Sequence, residues 1–460
     1  MNQKFMWGAA TSSYQIEGAI NEGNRTPSIW DTFANTPGKV KNGETGEVAI
    51  DHYNRLEEDV AMMVELGINS YRFSIAWPRL FPTADGPIEQ AGVDFYNKLI
   101  NLLVDNNIEP VATLYHWDLP QYLEDSGGWA NRATVYAFEK YASACAEQFG
   151  DRVSQWITLN EPWCTAFLGY YLGIHAPGKR SAGLAVAAAH HTALAHGYGT
   201  RAIKNVYPGA RVGITVNMTT LHTDSNDAET KAIYDLVDAN QNRWWIDALT
   251  TGHYPANLVA EYGEMLSRVM NPGDEKILKT DPDFLGVNYY CDGFVGKARP
   301  SDVEMAIHSP YPIHRVANMD LPDTYFSSRT DFDWPVTPNG FQMLLERIHR
   351  DWPTIPAIYI TENGAAFNDG PDSDGTVKDD RRVDYLTSHI KAMNAAISNG
   401  VPVRGYFAWS LFDNYEWAEG YSKRFGMVYV DFETQERLPK LSFHKYKAII
   451  TASEPLYSTS

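Results

Sequence analysis

The chain has 460 residues, 44% hydrophobic and 21% charged, the balance of a globular protein with a sizeable core. Its formal net charge of −19 repels polyanions, which argues against nucleic acid or an anionic membrane surface as partner and favours neutral ligands. Aromatic residues reach 13%, including 13 Trp and 27 Tyr, a supply of flat apolar surface that suits sugar rings as well as a large core.

The chain opens on Met1 to Ala10, with one lysine and an apolar run too short for a signal peptide, and no later stretch nears membrane-spanning length. A cytoplasmic protein is therefore expected. Cys145, Cys164 and Cys291 are odd in number and lack metal-ligand spacing, as expected of free thiols in a reducing compartment.

Strand-like runs alternate with helical patterns along the chain. Phe5 to Ala10 is the first strand candidate. An irregular stretch from Asn35 to Gly46 follows, then an amphipathic stripe of Leu56, Val60, Met63 and Val64 that ends at a capping glycine, Gly67. Ser70 to Ile75 is the second strand, and a stripe of Val93, Tyr96, Leu99, Ile100 and Leu103 leads to the third, Pro110 to Tyr115. The fourth, Gln155 to Leu159, precedes an alanine-rich helical stretch bearing His190, His191 and His196, which lack acidic ligands at zinc spacing and read as helix-packing residues. Arg211 to Val216 and Phe284 to Tyr289 are the fifth and sixth. After a Pro-, Asp- and Ser-rich interruption from Lys297 to Thr337 come the seventh, Ala357 to Thr361, a stripe of Leu386, Ile390, Met393 and Ile397 before Gly400, and the eighth, Arg404 to Trp409.

Eight such strands with covering helices predict a single (β/α)8 TIM barrel with its site at the C-terminal ends of the strands, one catalytic domain over residues 1–460. The open doubly wound sheet is the rival, but no G-x-G-x-x-G follows an early strand and no phosphate loop is present. The fourth and seventh strands each run into a glutamate, in Thr158-Leu159-Asn160-Glu161-Pro162 and Ile360-Thr361-Glu362-Asn363-Gly364. Either glutamate alone reads as a strand-end ion-pair residue. Two of them across one barrel mouth are what glycosidic cleavage requires: one carboxyl protonated toward the leaving oxygen, one ionised, their separation deciding retention or inversion.

The motifs resemble glycoside hydrolase family 1 over nearly the full length. Phe5-Met6-Trp7-Gly8-Ala9-Ala10-Thr11-Ser12-Ser13-Tyr14-Gln15-Ile16-Glu17-Gly18 is similar to that family's amino-terminal signature, and Leu114 to Pro120, the two glutamate motifs and Trp409-Ser410-Leu411-Phe412-Asp413-Asn414-Tyr415-Glu416-Trp417 are similar to later ones. The resemblance implies a barrel enzyme that retains configuration, with Glu362 as nucleophile, Glu161 as acid/base, and support from Arg72, Asn288 and Tyr290. It implies a glycone site of Gln15, His116, Asn160, Trp409, Glu416, Trp417 and Phe425, and an aglycone side of Trp163, Leu168, His175 and Trp334, residues that fit loop core equally well. No metal or organic cofactor is implied.

The reading that follows is a retaining β-glucosidase acting on cellobiose, short cello-oligosaccharides and aryl or alkyl β-glucosides, with some β-galactosidase or β-fucosidase activity. Nothing in the sequence fixes an oligomeric state. A 6-phospho-β-glucosidase is the runner-up, opposed by the negative charge of Glu416 where a phosphate would sit, although Lys423 and Arg424 are near enough in sequence to offset it. Glutamate rather than glutamine at position 161 disfavours the thioglucosidase branch, and the presence of both glutamates opposes a catalytically silent sugar- or protein-binding barrel.

Overall fold

The computed structural model describes residues 4–297 and 319–457. Eight strands close into a barrel: β1 Met6–Ala10, β2 Ser70–Ser74, β3 Glu109–Tyr115, β4 Gln155–Asn160, β5 Arg211–Asn217, β6 Phe284–Asn288, β7 Ile358–Asn363 and β8 Val403–Trp409. Each pairs in parallel with its neighbours in chain order, and β1 closes the ring on β8. Positions along β1, β2, β4 and β7 are buried without exception, because one face meets the barrel interior and the other the helices. That double burial is why the strands read as near-continuous apolar runs.

The interior is layered. Met6, Val111, Ile157, Phe284, Tyr359 and Phe407 form an apolar cluster at the N-terminal side of the strands. Glycines make room for it: a Cβ on Gly8 would lie 2.4 Å from the Phe407 ring, and one on Gly213 would lie 2.5 Å from the Phe284 ring. Further along the strands the interior turns polar, with Arg72, Thr113, Thr215, Asn288 and Thr361 joined by hydrogen bonds.

The helical stripes follow the expected faces. Leu56, Val60 and Met63 are buried in the helix Leu56–Leu66, and Gly67 ends it at φ 81°, donating its N–H to the Met63 carbonyl. Val64 departs from the expectation: it is 47% exposed, because it follows Met63 directly and so points about 100° away round the helix. The helix Gln90–Asp105 buries all of Val93, Tyr96, Leu99, Ile100 and Leu103. In Asp380–Ser398 the residues Leu386, Ile390 and Met393 are buried, Ile397 is half-buried, and Gly400 follows at φ 92°.

Strand ends moved by a residue or two from expectation. β4 extends through Asn160 and β7 through Asn363, because backbone pairing continues past the apolar run into polar residues that are themselves hydrogen-bonded. Two small ribbons carry no sequence signal, Leu221–His222 with Gly293–Phe294 and Val428–Val430 with Arg437–Pro439. Residues 298–318 of the interruption between Lys297 and Thr337, and Met1 to Gln3 of the opening segment, lie outside the described residues. Among the described residues no helix is long and apolar enough to cross a membrane.

One close approach ties the barrel to the site. A Cβ on Gly364 would lie 1.6 Å from the Trp409 carbonyl oxygen, so β7 and β8 can run this near each other past their ends only with glycine there. Gly364→Ala should therefore lower the thermal unfolding midpoint, by an overpacking penalty of about 1–3 kcal/mol. An unchanged midpoint would contradict this contact.

Candidate active site

Asn160 and Glu362, at the ends of β4 and β7, both depend on a register irregularity. On β4, Ile157 pairs with Gly213 and Asn160 with Thr215, so β4 carries one more residue than β5 over that span. On β7, Ile360 pairs with Val287 and Glu362 with Asn288, again one residue extra, and the same offset appears against β8. Ile157 and Tyr359 belong to the interior cluster, so strict alternation would turn Asn160 and Glu362 outward to the helices. The bulges reverse the parity and deliver both side chains to the mouth. Glu161 then leaves β4 at φ 46°, a left-handed conformation that a side-chain-bearing residue adopts at a cost, with its N–H held by the Thr215 carbonyl at 2.9 Å.

Arg72, fully buried on β2, organises the polar layer. Its Nη1 donates to Glu362 Oε1 at 2.7 Å and to the Thr361 carbonyl at 2.9 Å, its Nη2 to Asn160 Oδ1 at 2.6 Å, and its Nε to Thr113 Oγ1 at 3.2 Å. The Tyr290 hydroxyl donates to Glu362 Oε2 at 2.6 Å, so both Glu362 oxygens are engaged. On the opposite wall Asn288 Nδ2 donates to Glu161 Oε1 at 2.7 Å and to Asn160 Oδ1 at 3.1 Å. The direction of that amide is set by Asn160 Oδ1, which Arg72 holds as an acceptor; from below, Thr361 Oγ1 donates to Asn288 Oδ1 at 2.7 Å, and Thr215 Oγ1 donates to Thr361 Oγ1 at 3.2 Å.

The two carboxyls consequently differ. Burial pushes Glu161 up to about 7, the charge of Glu362 adds to the rise, and Asn288, Cys164 and Arg72 only partly offset it. Burial also raises Glu362, but against it stand the Arg72 guanidinium and the Tyr290 hydroxyl, so Glu362 is the member of the pair that ionises first. Tyr290 itself is held far above its ordinary range by burial and the facing carboxylates, which keeps it a donor.

The predicted glycone residues converge on this mouth. Gln15 Nε2 donates to Asn414 Oδ1 at 3.0 Å, the Tyr415 carbonyl at 2.9 Å and Glu416 Oε2 at 3.4 Å, pinning the loop after β8 to the end of β1. Asn160 Nδ2 donates to His116 Nε2 at 3.0 Å, which leaves the ring proton on Nδ1, a buried atom with no hydrogen-bond partner. His116 stays neutral, its pKa driven down by burial and then by Arg72. Its ring faces Trp409 and Trp417, each with centroids 5.9 Å away and planes within about 20°. Trp417 is wedged against Trp30 at 4.7 Å and Trp117 at 4.5 Å, while Phe425 packs with Tyr290 and Trp334. Glu416 is pushed up to about 8 by burial and then by the charges of Glu362, Glu161 and Glu419. Arg424 is committed to Asp413 at 2.7 Å, and Lys423 donates to the Asp331 carbonyl at 2.5 Å over the Phe332 ring, so neither is recorded against Glu416.

The expected aglycone residues do not gather in one cluster. Trp163 is 6% exposed and spends its indole N–H on Asn240 Oδ1 at 2.7 Å, a core placement. Leu168 is half-buried at the edge of the main core, His175 lies between Trp30 and Trp117, and Trp334 stacks on Phe332 at 4.3 Å beside Tyr290. Trp334 and His175 therefore border the mouth near the glycone aromatics, and Trp163 supports the wall from behind. Sequence reasoning missed Thr361, Thr215 and Cys164, whose Sγ sits 3.2 Å from Glu161 Oε2. Thr361 lay inside a motif already singled out; nothing in the chain announces the other two. His190, on the alanine-rich helix, bonds Tyr254 and Asp274, and among the described residues no group of His, Cys, Asp and Glu is arranged to hold a metal ion.

The family model for glycosyl hydrolase family 1 matches residues 1–455. The chain belongs to that family. It is a glycoside hydrolase, 42% identical to beta-glucosidase A of Thermotoga maritima over 97% of this chain and 96% of that one. It is also 42% identical to a bifunctional beta-D-glucosidase/beta-D-fucosidase of Bifidobacterium breve, with 97% of each chain covered. Among solved structures, the psychrophilic beta-glucosidase of Micrococcus antarcticus superposes with a TM-score of 0.92 at 42% identity, covering 97% of both chains.

Holding these carboxyls in a family 1 mouth costs stability in a pH-dependent way. Glu416 has a folded pKa of about 8, above its unfolded value, so the folded protein binds more protons and loses stability as pH rises from the unfolded carboxyl range to about 8. Glu416→Gln removes that loss. Its unfolding midpoint should match the unmodified protein near pH 5 and exceed it increasingly toward pH 8, as calorimetry across that range can check; a constant difference would refute the assignment.

Proposed function

We propose that the protein is a retaining β-glucosidase that releases the non-reducing terminal glucosyl residue of cellobiose, short cello-oligosaccharides and aryl or alkyl β-glucosides, acting as one catalytic unit. The observation that carries this reading is the asymmetry between Glu362, clamped by Arg72 and Tyr290, and Glu161, raised to about 7 beside an amide and a thiol. The name of the Bifidobacterium relative supports β-fucosidase side activity. The free, largely buried thiols support a reducing, cytoplasmic setting.

In the first step a Glu362 oxygen bonds to the anomeric carbon as the glycosidic C–O bond breaks, and the Glu161 proton passes to the departing oxygen. Tyr290 and Arg72 hold the attacking carboxylate in line. Once Glu362 is an ester its charge is gone, and with it the largest raising influence on Glu161 after burial. Glu161 then falls in pKa, takes a proton from water, and the water oxygen displaces Glu362 with the β configuration restored. Asn160, fixed by Arg72 and Asn288, is placed to hold the sugar's 2-hydroxyl, a contact that strengthens toward the oxocarbenium-like transition state.

The roles separate in two variants. Glu362→Gly should abolish hydrolysis, and azide should restore turnover of an activated glucoside as the inverted α-product. Glu161→Ala should impair cellobiose far more than the first step with dinitrophenyl glucoside, and azide should give the β-glucosyl azide. β-Product from Glu362→Gly without added anion, or equal losses on both substrates for Glu161→Ala, would reject the assignment.

At the 6-position the Glu416 carboxyl, with Arg424 held by Asp413 and Lys423 by the Asp331 carbonyl, supports an unphosphorylated sugar over the 6-phosphorylated one. Glu416→Ser should lower kcat/KM on p-nitrophenyl β-glucoside by about two to three orders of magnitude, roughly 2–4 kcal/mol of transition-state stabilisation. It should also narrow the gap to the 6-phosphorylated analogue. A preference of the unmodified enzyme for the phosphorylated substrate would overturn the choice.

A further inference from the structure

We infer that Cys164 is a positioning residue for Glu161, a thiol that donates to the carboxylate in the base half of the reaction and yields in the acid half. The inference rests on the proposed acid/base role of Glu161. Its basis is geometric: Cys164 Sγ lies 3.2 Å from Glu161 Oε2, and the residue is only 7% exposed.

The turn that follows β4 builds this contact. Glu161 at φ 46° and Pro162 reverse the chain, and the Glu161 carbonyl accepts the N–H of Cys164 at 3.0 Å and of Thr165 at 3.3 Å. Cys164 thereby begins the wide helical segment Cys164–Leu172 with its side chain folded back over the carboxyl three residues earlier.

The other carboxyl oxygen defines what the thiol must do. Asn288 Nδ2 faces Oε1, and because it also donates to Asn160 Oδ1, an oxygen that the Arg72 guanidinium holds as an acceptor, the amide cannot turn round to accept. A proton on Glu161 therefore belongs on Oε2, the oxygen that Cys164 faces. A hydroxyl there would donate to the ionised carboxylate more strongly than it would accept from the neutral acid, and so would favour the carboxylate. A methyl group would leave the carboxylate with one protein donor. A thiol is a weak donor and a weak acceptor, and it can rotate between the two duties. Burial and the two carboxylates push the thiol's own pKa far up, so it stays S–H and does not compete as a nucleophile or base. The other groups that bear on Glu161 electrostatically are Glu362, Arg72, Tyr290 and Glu416, all unchanged when position 164 is varied.

The test is the pH profile of kcat/KM for p-nitrophenyl β-glucoside in the unmodified enzyme, Cys164→Ser, Cys164→Ala and Glu161→Ala, with thermal unfolding measured alongside. The alkaline limb reports loss of the Glu161 proton. It should move down by about half to one pH unit in Cys164→Ser and up by about half a unit in Cys164→Ala, the scale of one modest hydrogen bond. Opposite shifts are something a packing role does not produce. Limbs that stay at the unmodified position, or that move the same way in both variants, overturn the inference. Should the serine variant fail to fold, an upward shift in Cys164→Ala supports the inference and an unmoved limb overturns it. Glu161→Ala keeps the two readings apart: an alkaline limb that survives it defeats the acid/base role itself, whereas a limb that vanishes there but ignores Cys164 defeats only the thiol.

Discussion

The site depends first on a buried guanidinium. Arg72 has no exposed surface, so its charge must be met from within the barrel, and it is met by β3 through Thr113, β4 through Asn160, and β7 through Thr361 and Glu362. Each bond fixes a residue that has a chemical duty. Removing the cation would leave Glu362 buried with a hydroxyl and no counter-charge, and would free Asn160 from the orientation that shares its oxygen with Asn288. Three carboxyls, Glu161, Glu362 and Glu416, border this mouth, and Arg72 pairs with Glu362. That unequal supply of positive charge is what sets Glu362 apart from Glu161.

A second constraint is parity. The barrel is a regular object and the site is not, and the two are reconciled by one extra residue in β4 and one in β7. The polar ladder Thr215–Thr361–Asn288 runs beneath the bulges and fixes the amide that faces Glu161. Correct aim therefore requires both an irregular strand and a regular neighbour to measure it against.

Much of this was legible in the chain. The strands could be read because both their faces are buried, and Glu161 and Glu362 because a charge directly after an apolar run is costly unless used. The helix stripes were legible to the extent that burial follows the 3.6-residue period, which Val64 shows failing at a neighbouring position. The bulges were not legible, since a sequence carries no mark of which residue is unpaired. Nor was the direction of the Asn288 amide, which is set by Arg72 through Asn160. The aglycone side was the least readable: an aromatic such as Trp163 serves a loop core or a binding wall equally well until its N–H is seen to reach Asn240.

Gln15 joins the end of β1 to Asn414, Tyr415 and Glu416, residues 399 to 401 positions later in the chain. During synthesis the first strand must wait for the last loop before its amide finds these partners, and Trp417 cannot close on Trp30 and Trp117 any earlier. A nascent chain can hold both Glu161 and Glu362 and still lack the Asn414–Trp417 side of the mouth. These contacts form only after β8 and the loop that follows it have been made, so this side of the mouth is assembled together with closure of the barrel rather than ahead of it.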